Sequence, residues 1–197
     1  VSAVTITAGH SPYLALVLAA AAGFVAGAVT ALLNTKLKIL HLLASILTMI
    51  SLYSINIRIM GGPNVALLGT PSVLTDLESL GLPLYQLTPA FFCVVAAIIT
   101  GGLIWFLHTE YGQAMLATGD NRQMITAQGV NTDNVIIFGV GLSNALVAFS
   151  GALIAQNQGA ADVNMGVGTI VAGLASVILG ETVCGKATIA RACVAVI

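Results

Sequence analysis

Between residues 14 and 33 the chain runs for twenty residues in which Thr30 is the only polar side chain. A helix of that length covers about 30 Å, the thickness of a bilayer's hydrocarbon core. Backbone polar groups in hydrocarbon must be paired within the protein, so such a run reads as a membrane-crossing helix. The composition agrees, with 58% of the 197 residues apolar and 7% charged, where a soluble domain carries about 25% charged residues. So few charges cannot cover a surface in water, which excludes a soluble globular enzyme. Intrinsic disorder needs low hydrophobicity and high net charge. A formal net charge of −1 gives no reason to expect a nucleic-acid partner. The expected fold class is all-α, a polytopic transmembrane helical bundle in a lipid membrane.

Within the first span Ala15, Ala19, Gly23, Gly27 and Ala31 recur every fourth residue. This predicts a stripe of small side chains against which another helix packs closely. Residues 39–57 form a second span of different character, with His41, Ser45, Thr48, Ser51, Tyr53, Ser54 and Asn56 among its apolar residues. Ser45, Thr48 and Ser51 follow one helical face. Polar groups are costly against lipid, so that face is expected to turn inward, either to line a pathway or to bond a neighbouring helix. A third span, 89–107, opens on Pro89 as a first-turn proline and closes near Trp105. The fourth, 135–155, carries Gly139, Ser143, Gly151 and Ala155 on its expected small face, with Asn144 and Gln156 as further pathway candidates. Residues 170–179 are only ten, either a short or re-entrant segment or part of a longer helix that includes 163–169. Together these spans read as one transmembrane domain over residues 1–197.

Loop charges orient the bundle. Alternation from a cytoplasmic 34–38 turn puts Lys36, Lys38, Arg122, Lys186 and Arg191 on the cytoplasmic side and Arg58 alone outside, as the positive-inside rule requires. Val1 is not an initiator Met, and residues 192–197 stop inside an apolar run, so the sequence reads as part of a longer protein. Cys93, Cys184 and Cys193 lie in or beside apolar segments, without disulfide or metal spacing, and read as small buried side chains.

The 27 residues from 108 to 134 are long for a simple connection. They read as two short helices, the first over 111–117 and stopped by Thr118-Gly119, the second capped by Asp120 with Gln123 three positions on. Gly129 closes the second helix as its C′ residue. About two turns of helix need a surface to pack on, and Met124, Ile125 and Ala127 are apolar groups to offer either to a partner's groove or to the chain's own bundle.

This loop, with Tyr111-Gly112, then Thr118-Gly119-Asp120-Asn121, then Gly129-Val130-Asn131, resembles the cytoplasmic coupling loop of ABC-importer permeases of the branched-chain amino acid and ribose type. Leu32-Leu33-Asn34-Thr35-Lys36-Leu37-Lys38 is similar to that family's first cytoplasmic turn, and Leu47-Thr48-Met49 to the start of its next helix. Residues 166–180 resemble its Gly-x-Gly followed by an apolar run, so the likeness covers about 23–185. The sequence departs from the family pattern at Glu181 and Lys186. The resemblance implies a multi-pass subunit of the cell inner membrane with short cytoplasmic coupling helices. Its implied partners are a second, identical or related permease subunit, two cytoplasmic ATPase subunits and an extracytoplasmic solute-binding protein. It also implies that Tyr111, Gly112, Thr118, Gly119, Asp120, Asn121, Gly129 and Asn131 belong to the loop seated in the ATPase. Their role would be shape and capping, with Asp120 and Asn121 holding helix starts. The chain itself would need no cofactor, ATP and Mg being bound by the partner. An amino-acid subgroup, tryptophan- or tyrosine-like, is the closest in feel; branched-chain amino acids and sugars stay open.

Residues 180–188 come one position from a phosphate-binding loop, but Ala187 stands where that pattern needs a hydroxyl, and Thr188 comes one place late. His10, His41 and His108 have no ligand spacing among them, and no nucleophile or paired-carboxylate set suggests an enzyme. The segment 61–88, with Gly61-Gly62-Pro63-Asn64, Pro71, Asp76, Glu78 and Gly81-Leu82-Pro83, reads as an ordered external loop. The rival reading is an ATP-independent secondary transporter or channel subunit, which would place charges within the spans for ion coupling. Arg58, at a span boundary, is the one candidate.

Overall fold

The computed structural model describes residues 1–67, 69, 72, 73 and 84–184. Pro71, Asp76, Glu78, Gly81, Leu82, Pro83, Gly185, Lys186, Ala187, Thr188, Arg191 and Cys193 lie outside the described residues. In order come α1 (Ser2–Thr7), α2 (Pro12–Thr35), α3 (His41–Met60), β1 (Asn64–Ala66) and α4 (Leu84–Leu107). They are followed by α5 (Glu110–Asp120), α6 (Arg122–Ala127), α7 (Thr132–Gln158), β2 (Ala160–Asp162) and α8 (Val167–Cys184). The all-α transmembrane class holds: α2, α3, α7 and the Thr88–Leu107 stretch of α4 are each long and apolar enough to cross a membrane. Beyond that expectation, β1 and β2 form a two-stranded antiparallel ribbon pairing Asn64 with Asp162 and Ala66 with Ala160.

The described residues fall into two compact units, one within Val1–Leu77 and Ala117–Val163, the other within Glu78–Leu116 and Asn164–Ile197. In the first, α2 and α7 pack antiparallel. Pro12 lies beside Gln156, Gly23 beside Ala148, and Gly27 beside Asn144 and Val140. The small stripe of α2 is what permits this. Ala15, Ala19 and Ala31 are buried, and a Cβ at Gly23 would stand 2.5 Å from the Ala148 Cβ and 2.6 Å from the Asn144 carbonyl oxygen. One at Gly27 would stand 2.7 Å from the Val140 carbonyl oxygen. Lipid provides no hydrophobic drive between helices, so this closeness is what dispersion needs to hold them together. Phe24 closes the seam, lying edge to face on Phe138 with ring centroids 5.9 Å apart.

The register fixes which ends lie together. The turn after Thr35, with Lys36 and Lys38, is at the same end of the pair as Asn131, the N-cap of α7, and Arg122 bonds to Thr132 there. At the other end, the ribbon draws the chain after α3 toward the chain after α7, so Arg58 in the last turn of α3 lies opposite. There α1 caps the bundle through a small core of Ala3, Ile6, Ala15 and Leu67.

Two helix details differ from expectation. α4 begins at Leu84, so Pro89 sits inside the helix rather than at its opening; its absent N–H removes a single ladder bond, which transmembrane helices tolerate. The face of α7 turned to α2 carries Val140, Gly141, Asn144 and Ala148; of the expected Gly139, Ser143, Gly151, Ala155 series, Ala155 is buried, but Ser143 is exposed and Gly151 meets nothing. Steps of four drift off a face that repeats every 3.6 residues. In the second unit, the 170–179 segment is part of a longer helix, the 18-residue α8, but that helix begins at Val167 and takes in only 167–169 of the expected 163–169 extension, residues 163–166 being turn.

Candidate functional site

The loop between spans is two tight corners around α5 and α6. At the first, the Thr109 hydroxyl accepts from the Gly112 N–H at 3.3 Å and donates to the Phe106 carbonyl at 2.6 Å, tying the start of α5 to the end of α4. Gly112 is required there: a Cβ would stand 2.4 Å from the Phe106 carbonyl oxygen and 2.5 Å from the Leu107 Cα. Tyr111 beside it is exposed.

α5 does not stop at Thr118-Gly119 but continues through both to Asp120. Thr118 is buried at 7% exposure, and one helical glycine costs only about 1 kcal/mol. Gly119 and Asp120 are exposed, with open space where a Cβ at 119 would go. The cap of the next helix is therefore displaced by one residue. Asn121, in extended backbone, accepts the Met124 N–H on its Oδ1 at 3.1 Å, while Asp120 ends α5. Of the two residues expected to hold helix starts, only Asn121 does so.

α6 buries Ile125 and exposes Met124. Gly129 follows its C-cap at φ +87°, the left-handed C′ position where a side chain would be strained. Asn131 then caps α7, accepting the Asn134 N–H at 3.4 Å. Side chains close this corner as well. The Arg122 guanidinium is ion-paired to Asp133, its Nε donates to the Thr132 hydroxyl at 3.4 Å, and the Thr126 hydroxyl lies 3.3 Å from the same oxygen. An open hollow of about 540 Å³ is bounded by these residues with Gly129, Val130 and Asn131.

The pathway candidates do not converge on one place. Thr48 and Ser51 of α3 share a groove of about 640 Å³ with Leu18, Ala22, Val25 and Val29 of α2, and Ser45 lies outside its lining. Ser45 and Thr48 donate to carbonyls one turn back, His41 and Ala44, each at 2.9 Å. This satisfies the hydroxyl protons within the helix and leaves oxygen lone pairs as acceptors. Asn144 sits on the α2–α7 seam with its amide on the Val140 carbonyl at 2.9 Å. Gln156 is buried at the far end, accepting the Val73 N–H at 3.3 Å and donating to the Pro12 carbonyl at 3.4 Å.

The family described as "Branched-chain amino acid transport system / permease component" matches residues 1–197. The chain belongs to this permease family. The permease is 40% identical over 196 residues to a tyrosine transport system permease protein of Clostridioides difficile, a match that covers 99% of this chain and 63% of that protein. It is 32% identical over 171 residues to an uncharacterised protein of Rickettsia prowazekii, covering 86% of this chain and 58% of that one. It is 28% identical over 177 residues to an autoinducer 2 import system permease protein of Yersinia pseudotuberculosis, covering 89% and 48%. The chain thus spans between about half and two thirds of the length of these relatives. No solved structure gave a significant match.

Two features of the permease's corners escaped the sequence reading. Thr109 carried a readable signal, a threonine just before a helix-compatible run. The bonding of Arg122 to residues ten and eleven positions on carried none, because it depends on the turn at Gly129.

Proposed function

We propose that this permease is a transmembrane subunit of an ATP-binding-cassette importer of the inner membrane, carrying a small solute inward by alternating access. It would pair with a second, identical or related copy, take solute from an extracytoplasmic binding protein, and draw on two cytoplasmic ATPase subunits that hold the ATP and Mg. An amino acid is the favoured solute, given the tyrosine transport relative; a sugar stays possible, and the autoinducer 2 import relative is consistent with a solute other than an amino acid. On this reading Tyr111, Gly112, Thr118, Gly119, Asp120, Asn121, Gly129 and Asn131 form the coupling loop. Ser45, Thr48, Ser51 and Asn144 are pathway residues, and Gln156 supports the pathway's far end.

The observation that supports this most is the charge division in the first unit. Lys36, Lys38 and Arg122 share one end of the α2–α7 pair and Arg58 the other, which by the positive-inside rule makes the Gly119–Asp120 end cytoplasmic. Gly119 and Asp120 are exposed there, where a motor subunit would meet them. The test is ATP turnover by the full-length permease reconstituted with its ATPase and binding protein. Gly119→Trp and Asp120→Trp are expected to lower turnover at least tenfold. Unchanged turnover in both would sink the coupling role.

A further inference from the structure

We infer that the Arg122–Asp133 pair, with Thr126 and Thr132, is a clasp that makes α6 and the start of α7 one rigid body, so that force on α6 is delivered directly to α7. The inference rests on the coupling reading above and adds the positioning residues it needs. The turn alone does not hold α6. Gly129 and Val130 are the only residues between the C-cap of α6 and the N-cap of α7, and they fix the short helix at its C-terminal end. Six residues have no rigidity of their own. The clasp provides the second point, reaching from Arg122, the first residue of α6, to Thr132 and Asp133 in the first turn of α7.

Helix electrostatics make the arrangement specific. A cation at the first position of α6 stands at the positive end of that helix, where it is disfavoured, whereas Asp133 in the first turn of α7 stands where an anion is favoured. The position of Arg122 is explained by the neighbouring helix rather than its own. Thr132 is buried at 6% exposure, and its hydroxyl gathers both Arg122 Nε and Thr126 Oγ1. Ile125 is buried on the same short helix. The pair itself is part-exposed, at 48% and 31%, and such pairs contribute little to stability. Its effect is on geometry. Beyond the clasp, α7 meets α2 backbone to backbone at Gly23 and Gly27, so displacement of α6 would move the α7–α2 pair without slack.

The experiment uses the full-length complex with its ATPase subunits in lipid nanodiscs, native cysteines replaced and spin labels at the exposed positions 124 and 134. Pulsed electron resonance is expected to give one narrow distance distribution, unchanged between nucleotide-free and vanadate-trapped states. Arg122→Gln should at least double its width and lower ATP turnover about tenfold; the charge-reversed pair Arg122→Asp with Asp133→Arg should restore both to within twofold. An unbroadened distribution in Arg122→Gln overturns the clasp, as does broadening with unchanged turnover, or a reversed pair that restores neither. Gly119→Trp, measured alongside, separates the two levels. If it abolishes turnover while Arg122→Gln does not, the clasp fails and the coupling reading stands. If neither changes turnover, both fail.

Discussion

Along one face of α2 the backbone of α7 comes close enough that no side chain fits between them, while toward α3 the same helix leaves a groove of about 640 Å³. Both faces of α2 are apolar and both neighbours are long apolar helices. The difference lies in side-chain size and in its repeat. Gly23 and Gly27, flanked by buried Ala19 and Ala31, leave a shallow track for α7, whereas Leu18, Val25 and Val29 stand out toward α3. On α3 only Ala44 is buried, and Leu42, Met49 and Ile50 remain exposed at 80%, 64% and 61%. Hydrophobicity therefore says which helices enter the membrane, and small residues say which pair becomes rigid.

The sharpest way to break this contrast is Gly27→Leu. A branched side chain would have to displace the Val140 carbonyl and the Asn144 side chain, and we expect a loss of about 3 kcal/mol, read as a lowered unfolding midpoint in detergent. Gly112→Ala extends the same argument to the second unit. Its single methyl meets the Phe106 carbonyl oxygen, and about 2 kcal/mol of destabilisation is expected by the same measurement. Asn121→Ala removes a cap at an exposed corner and should cost about 1 kcal/mol, concentrated in faster amide exchange at Met124. In the groove the effect should nearly vanish. Val25→Ala, at a side chain 61% exposed, is expected to shift stability by less than about 0.5 kcal/mol. A cost for Val25→Ala equal to that of Gly27→Leu would erase the distinction between seam and groove. Ser51→Ala sharpens it from the functional side: stability unchanged within about 0.5 kcal/mol, with solute uptake by the reconstituted complex reduced if the groove face lines the pathway.

Much of the candidate site was readable along the chain because it is built from local signals. The C′ glycine at 129 and the apolar anchor Ile125 need only their immediate neighbours to be understood. The cap lies one position later than the spacing predicts, for a nonlocal reason. Burial of Thr118 carries α5 through Gly119 to Asp120, leaving Asn121 as the first residue free to take extended backbone. Gln156 looked like a polar group in search of a pathway, and it is a buried tie between residues 12 and 73, which no spacing rule connects.

Length and apolarity of each run, the four-residue step of small residues on α2, and the distribution of lysine and arginine along the chain were properties of the sequence alone. The first determines which helices are long and apolar enough to cross a membrane, a matter of transfer between water and hydrocarbon that needs no partner; the second marks one face where another helix can pack closely, and the third gives the expected orientation. The folded structure alone decided which helix fills that face, which residues of α7 meet it, where α5 ends, and that Arg122 reaches Asp133. Each of these depends on the relative placement of segments far apart in the chain, and shape complementarity and short-range bonding act only once those segments have met.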